Sequence, residues 1–181
     1  MARAEPWGCF FLALLILTVP AKLLLPAALA AAIHESFHIL AVMLLGGKVN
    51  RFSLAPGGAV LDVSGLQKGQ EALAAAAGPV GSFLLLLGSR AFPVLSLCGL
   101  IQGLFNLLPA YPLDGGRILK CTLQALGKWA LAEKVSCIAS CVSCCLLAAL
   151  FLWLRMPLAI SFLLPLIPGK FPCKADKLRV Q

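Results

Sequence analysis

The chain has 181 residues, of which 61% are hydrophobic and only 12% are charged, and its mean hydropathy is +0.97. Soluble domains are about half apolar and about a quarter charged, so this composition excludes an ordinary soluble protein and predicts one membrane-embedded domain over residues 1–181. The net charge is +8, but the basic residues lie between apolar runs rather than on an aromatic-lined stripe. Nucleic acid is therefore not an expected partner.

The apolar runs predict an all-α polytopic protein with about six transmembrane helices, because a helix needs about 20 apolar residues to cross a bilayer. The runs cover residues 8–25, 26–45, 72–87, 93–119, 135–154 and 157–168. The last run is short and bounded by prolines, so whether it crosses is left open. A cleavable signal peptide is the competing interpretation of the first run, but cleavage near Ala30 would leave the next run too short to span.

The basic residues predict how these helices are oriented. If the N-terminus is cytoplasmic, all but three of the 15 Lys and Arg residues lie in cytoplasmic segments, and the exceptions are Lys22, Arg90 and Arg155. An excess of positive charge is typical of cytoplasmic loops. The sequence therefore predicts a multi-pass protein of the cell membrane with both termini in the cytoplasm.

Polar residues interrupt the second run at an H-E-x-x-H match, residues 34–38. Four residues advance a helix by about 400°, so His34 and His38 project from one face and can bind the same metal ion. Glu35 lies next to that face and can act as a general base on a metal-bound water. The chain has no other histidine, and ionisable residues inside an apolar span are rare without a function. The structural alternative is a histidine pair satisfied by hydrogen bonds between helices.

A short β-hairpin is predicted in the polar loop between the second and third runs. Residues 49–54 and 59–63 are extended stretches that flank the turn sequence Ala55-Pro56-Gly57-Gly58. Two such stretches around a Pro-Gly-Gly turn are typical of a hairpin. A plain connector is the alternative.

Asp114 is the candidate for a third metal ligand. A catalytic zinc ion takes three protein ligands and keeps one position open, and without a third histidine the remaining ligand is expected to be a carboxylate. Asp114 lies deep in the fourth run, whereas Asp62 and Asp176 lie in polar segments. Pro109 and Pro112 are expected to break or kink the helix, and the Gly-Gly pair after Asp114 to keep it irregular, so that the carboxylate turns toward the metal.

Four of the eight cysteines recur at helical spacing in the fifth run, and they are Cys137, Cys141, Cys144 and Cys145. A thiolate metal site and helix-to-helix packing are the two interpretations. Since no histidine or acidic pair accompanies them, the pattern favours packing. Disulfides are not expected at membrane depth.

These motifs together resemble the site-2 protease (M50) family of intramembrane zinc metalloproteases. Residues 34–38 match its H-E-x-x-H motif, and Ala77-Gly78-Pro79 is similar to its small-residue signature. The residues that match its N-x-x-P-x-x-P-L-D-G motif are Asn106, Pro109, Pro112, Leu113, Asp114 and Gly115. The resemblance covers about residues 26–120 and implies a three-helix catalytic core there, with additional helices at 8–25 and 129–168.

The resemblance implies a zinc metalloendopeptidase that cleaves a membrane-anchored protein near the cytoplasmic side, as in regulated intramembrane proteolysis. One Zn²⁺ per chain would be held by His34, His38 and Asp114. Glu35 would be the catalytic base, and Asn106 would bind the substrate. The hairpin would offer an edge to an extended substrate.

The sequence departs from many members of the family because it has no room for a PDZ or a CBS domain. This layout favours a sporulation-type subgroup without its CBS domain, and control by regulatory membrane proteins. Two rival functions remain, a catalytically silent membrane scaffold and a metal transporter or sensor.

Overall fold

Helices make up most of the chain that the computed structural model describes, which is residues 3–4, 20–55 and 58–153. The elements in chain order are β1 (Arg3–Ala4), α1 (Ala21–Leu44), β2 (Lys48–Ala55), β3 (Gly58–Ser64), α2 (Lys68–Leu84), α3 (Pro93–Asn106), α4 (Asp114–Ala125) and α5 (Trp129–Trp153). A short 3₁₀ helix (Leu85–Gly88) extends α2. The protein is thus mainly helical with one small sheet, as the sequence predicts.

Three of the described helices are long and apolar enough to cross a membrane: α1, α2 with its 3₁₀ extension, and α5. Helix α3 is also apolar, but its 14 residues make it about 21 Å long, shorter than the hydrocarbon core of about 30 Å. The described residues therefore support a membrane protein and do not supply six spans. The predicted spans at 8–25 and 157–168 fall mostly or wholly outside the described residues.

Helix α1 begins at Ala21, five residues before the predicted second span. The predicted boundary between residues 25 and 26 is wrong, because the helix continues through Pro26. A proline removes one backbone donor from a helix. Since Pro26 lies in the second turn, the loss is confined to one hydrogen bond near the helix start, and the apolar run can remain helical.

The predicted hairpin is confirmed. Strands β2 and β3 pair in antiparallel register down to Ala55 opposite Gly58. Strand β1, which the sequence does not predict, pairs in parallel with β2 at Ser53 and Leu54, so the strand order is β1-β2-β3. Its two residues are too few to produce a recognisable strand pattern.

Small side chains form the contacts between the helices, whereas large apolar side chains face outward. The buried hydrophobic residues are mainly alanines: Ala30, Ala72, Ala74, Ala75, Ala110 and Ala132. In contrast, Leu44 and Leu87 are 78% and 84% exposed. Helices in lipid associate by close approach at small residues, since lipid is as apolar as leucine. This inside-out distribution is what a bilayer favours.

Helix α2 lies at the centre and contacts α1, α3 and α4. Its contacts depend on glycines, because a Cβ at Gly81 would meet the ring of Phe37 on α1. On α3, a Cβ at Gly99 would lie 2.9 Å from the main-chain oxygen of Ser82. The helices that carry the metal-binding motif and the small-residue signature are therefore in backbone-close contact.

A polar cluster joins α4 to the start of α2. Lys68 Nζ lies 2.9 Å from Glu71 Oε1, and Cys121 Sγ donates to Glu71 Oε2 at 3.5 Å. Burial and the adjacent Glu71 carboxylate raise the pKa of the Cys121 thiol, so the thiol stays protonated and available as a donor. On the other side of α4, Lys120 Nζ pairs with Glu133 of α5 at 2.8 Å.

The inward face of α5 is formed by serines rather than by the cysteines singled out in the sequence. Ser136, Ser140 and Ser143 are buried. Cys137, Cys141 and Cys145 are exposed and Cys144 is partly buried, and none of the four forms a disulfide within the described residues. The described residues thus give these cysteines neither a disulfide nor a metal cluster with histidine or carboxylate.

Substitution of Gly99 by Ala is expected to loosen the α2–α3 contact. The new Cβ would lie 2.7 Å from a Leu85 methyl carbon and 2.9 Å from the Ser82 oxygen, and main chain cannot move aside cheaply. Such overpacking costs about 1–3 kcal/mol. Reversible unfolding in mixed micelles measures it, and the control is Gly88→Ala, where nothing lies within 4 Å. Equal stability of the two variants would contradict the close packing.

Candidate metal centre

The buried residues of α1 recur at every fourth position and are Ala30, His34, His38 and Val42. Residues four apart on a helix lie on one face. This face is turned toward α2, so the H-E-x-x-H spacing places both imidazole rings in the interior of the protein. His34 is 2% and His38 5% exposed.

Helix α2 presents a matching face to the two histidines. His38 Nδ1 donates to the main-chain oxygen of Ala74 at 2.8 Å, and His34 Nδ1 lies 2.9 Å from Ser82 Oγ. The earlier histidine meets the later residue of α2, so the helices run antiparallel. Gly78 lies midway between these two partners, opposite the gap between the rings.

Asp114 reaches the histidines from a separate part of the chain. Helix α3 ends at Asn106, and α4 begins at Asp114 after a loop, so the predicted break is present. The prediction that the glycines after Asp114 keep the backbone irregular is wrong, because Gly115 and Gly116 lie in the first turn of α4. Their role is spatial, since a Cβ at Gly115 would meet the Leu107 carbonyl oxygen.

The loop between α3 and α4 is fixed by α5. The backbone N–H of Tyr111 donates to Ser140 Oγ at 2.9 Å, and Lys120 Nζ lies 5.4 Å from the centroid of the Tyr111 ring. Ala110 and Leu113 are buried in a small apolar cluster with side chains of α5. These contacts hold the residues immediately before Asp114 and so define where its carboxylate points.

Three ligand atoms converge in a buried triangle. Asp114 Oδ2 lies 3.0 Å from His34 Nε2 and 3.1 Å from His38 Nε2, and the two Nε2 atoms are 3.1 Å apart. Asp114 is 6% exposed. Among the described residues this is the only group of three or more His, Cys, Asp or Glu side chains that could hold one metal ion.

The chemistry of these atoms fits a cation. His38 Nδ1 donates to a carbonyl, so its Nε2 carries a lone pair in the neutral ring. A lone pair and a carboxylate oxygen in contact repel each other unless a proton or a cation lies between them. Ligand atoms at about 2.0–2.1 Å from a tetrahedral zinc ion are about 3.3 Å apart, close to the observed spacings.

Gly78 provides the space that an ion would need. A Cβ at this position would meet His38 Nε2, and it would lie 2.7 Å from His34 Nε2. The missing side chain thus leaves room beside both imidazole ligand atoms. The residues present fit a zinc ion in geometry, in donor type and in available volume.

The Glu35 carboxylate is the remaining ionisable group of the H-E-x-x-H motif. Its Oε2 atom is buried and has no hydrogen-bond partner among the described residues. An unpaired buried carboxylate oxygen is costly, and such groups are concentrated at functional sites. Glu35 follows His34 directly on α1, so this carboxylate is next in the chain to one member of the triangle.

Sequence reasoning names the three converging residues and misses what surrounds them. The carbonyl of Ala74, the hydroxyl of Ser82 and the space at Gly78 are not anticipated, although a serine in an apolar helix four residues after Gly78 is a usable signal. Asn106 ends α3, is partly buried and is not part of the triangle. Its role in binding substrate stays a prediction.

Comparison with known proteins agrees with this geometry. Residues 88–150 match peptidase family M50, a stretch that contains Asp114 but not the two histidines. A zinc metalloprotease of Methanocaldococcus jannaschii is 35% identical over 109 residues. The solved structure of the site-2 protease from the same organism superimposes with a TM-score of 0.67 at 25% identity, over 90% of this chain and 86% of that one. The chain is thus similar to a zinc metalloprotease in sequence and to a site-2 protease in fold.

The sequence match covers only part of each protein. The aligned stretch covers 52% of this chain but only 32% of the archaeal zinc metalloprotease. The matched archaeal relative is named as a zinc metalloprotease. The sporulation-type subgroup stays a prediction.

Substitution of Gly78 by Ala is expected to reduce bound zinc strongly, because the new methyl group would occupy the space beside both Nε2 atoms. The measurement is zinc per chain by mass spectrometry on protein purified in detergent. Gly69→Ala on the same helix is the matched control, since its Cβ would be 3.9 Å from the nearest atom, Ala125 Cβ. Full zinc in the Gly78 variant would show that the space is not needed.

Proposed function

We propose that this protein is an intramembrane zinc endopeptidase that hydrolyses a peptide bond of a membrane-anchored protein substrate. The observation that carries the proposal is the buried triangle of His34, His38 and Asp114, together with a buried Glu35 oxygen that has no hydrogen-bond partner among the described residues. Two imidazoles and one carboxylate leave one position of a tetrahedral ion open, as catalytic zinc sites do. The zinc metalloprotease among its relatives supports the same chemistry.

In this proposal His34, His38 and Asp114 are the ligands of one zinc ion, and Glu35 is the catalytic base. Zinc bound there supplies Lewis acidity toward the scissile carbonyl and makes a water more acidic. Glu35 accepts a proton from the attacking water as its oxygen bonds to the carbonyl carbon. Glu35 then returns that proton to the amide nitrogen as the C–N bond breaks. The partly buried position of Glu35 suits both steps.

The length and composition of the described helices support a membrane location for this chemistry. Helices α1 and α2, which carry the histidines and their hydrogen-bond partners, are both long enough to span. We infer a site that opens to the cytoplasm, because α4 and the segment after it carry Arg117, Lys120, Lys128 and Lys134 and positive charge favours that side. Multi-pass topology with cytoplasmic termini belongs to the same proposal.

The hairpin is the element that we expect to receive the substrate. Within the described residues β2 is flanked by β1 and β3, so the outer edge of β3 (Gly58–Ser64) has no strand partner. An extended peptide can add to such an edge through main-chain hydrogen bonds. Addition of a strand would unwind a substrate helix and expose its peptide bond. Asn106 is the proposed polar contact to the substrate backbone.

Metal transport and a silent scaffold are the competing functions. A transport path requires successive ligand sites across the bilayer, and the described residues hold a single group. A silent scaffold would not require the buried Glu35 oxygen, which has no hydrogen-bond partner among the described residues. Both observations favour the protease. Regulatory membrane partners are also part of the proposal, and a binding assay tests them.

The first test separates the base from the ligands. Glu35→Gln removes the proton acceptor but keeps size and shape, so cleavage is expected to fall by about 10²–10⁴-fold with zinc content unchanged. Cleavage is followed on membrane-tethered substrates co-expressed with the protein, including single-span and pro-sigma-type substrates. Glu71→Gln is the matched control, because Glu71 pairs with Lys68 away from the triangle. Undiminished cleavage by the Glu35 variant would refute its role.

The second test concerns the third ligand. Asp114→Asn removes the negative charge from the triangle, so zinc is expected to bind more weakly and cleavage to fall in parallel. Zinc per chain and chelator sensitivity are measured in the same preparations, again with Glu71→Gln as the control. Absence of zinc from the wild-type protein purified under metal-replete conditions would overturn the proposed function itself.

A further inference from the structure

Ser82 is the most completely enclosed polar side chain near the metal centre. It is 0% exposed, and its hydroxyl lies 2.9 Å from His34 Nδ1. The residue lies on α2, one helical turn beyond Gly78. Among the described residues, His34 is the only hydrogen-bond partner of the Ser82 side chain. The proposed reaction assigns no role to this serine.

Helix α3 holds Ser82 against the histidine. A Cβ at Gly103 would lie 3.1 Å from Ser82 Cβ, and a Cβ at Gly99 would lie 2.9 Å from the Ser82 main-chain oxygen. The bare backbone of α3 therefore packs directly on the outer side of Ser82. With α3 behind it and His34 in front, the hydroxyl has little freedom to turn to another partner.

The two histidines are held in different ways. His38 Nδ1 donates to the Ala74 main-chain oxygen, a partner that any residue at position 74 would provide. His34 Nδ1 depends on the Ser82 side chain, which a substitution can remove. The orientation of His38 therefore does not depend on which side chain is present at position 74. The orientation of His34, in contrast, depends on a single hydroxyl.

Metal binding through Nε2 sets the tautomer that His34 must adopt. Binding of a metal through Nε2 requires a lone pair there, so the ring proton must be on Nδ1, where Ser82 Oγ accepts it. The other tautomer places the proton on Nε2, directed at Asp114 Oδ2 only 3.0 Å away. That arrangement satisfies the carboxylate without a metal and blocks the ligand atom. The Ser82 hydroxyl can accept from Nδ1 in the metal-binding tautomer and donate to it in the other, so it holds the ring in one orientation and accommodates the tautomer that a metal requires.

We propose that Ser82 is a positioning residue that fixes the ring orientation of His34 for metal binding. The inference rests on the proposed function, because it presumes that His34 Nε2 is a ligand. It adds a residue that acts through His34 and touches neither metal nor substrate. Hydrogen-bond partners behind metal-bound histidines change metal affinity by about 10–100-fold.

The experiment compares Ser82→Ala with Ser96→Ala in the full chain purified in detergent. Ser96 is the matched control, because it is also a buried serine with one hydrogen bond, donating to the Leu85 main-chain oxygen at 2.6 Å. Zinc affinity is measured by competition with a chromogenic chelator, and the visible absorption of added Co²⁺ reports the ligand geometry. Thermal unfolding of both metal-free variants reports their stability.

The expected result is zinc affinity lowered by about 10–100-fold and an altered Co²⁺ spectrum in Ser82→Ala, with wild-type values for both in Ser96→Ala. Wild-type affinity in Ser82→Ala would overturn the inference while leaving the proposed function intact. An equal loss in both serine variants would overturn it too, because the effect would then be general. Absence of zinc binding in the wild-type chain would overturn the proposed function together with the inference.

Discussion

The constraint on which this structure depends is the burial of three ligand atoms with lone pairs at a single point among apolar helices. A carboxylate oxygen and two imidazole nitrogens about 3 Å apart lose their hydration on burial, and that loss is offset only by protons or a cation between them. Every nearby feature serves this requirement. The Ala74 carbonyl is hydrogen-bonded to Nδ1 of His38, and the Ser82 hydroxyl is hydrogen-bonded to Nδ1 of His34. Gly78 leaves space beside the Nε2 atoms of both rings.

The close contacts between helices also build the candidate metal centre. The α1–α2 contact brings the histidines to their partners, and the α2–α3 contact holds Ser82 in place, both through positions without a side chain. Lipid offers little hydrophobic force to bring helices together, so small residues and a few polar contacts must supply the specificity. The serines of α5 extend this rule, since Ser140 accepts from Tyr111 and thereby holds the loop that ends at Asp114.

The sequence predicts the parts of the protein whose chemistry is local. The H-E-x-x-H spacing defines one helical face, and the Pro-Gly-Gly turn between extended stretches defines the hairpin; both are present in the structure. Asp114 could be selected because it is a charge within an apolar run. The helix boundary near Pro26 and the helical state of Gly115 were mispredicted, since packing decided both against the intrinsic preference of the residues. Ser82 and the Ala74 carbonyl could not be identified, because their roles depend on which helix lies opposite.

The separation of the ligands along the chain has a consequence for folding. His34 and His38 are a turn apart, but Asp114 is 76 residues beyond His38, and the segment between them contains the whole hairpin, α2 and α3. An ion that binds all three would close this long loop as a covalent cross-link does, and it would remove the corresponding conformational entropy from the unfolded chain. The ion proposed for catalysis would then also cross-link the helices of the bundle.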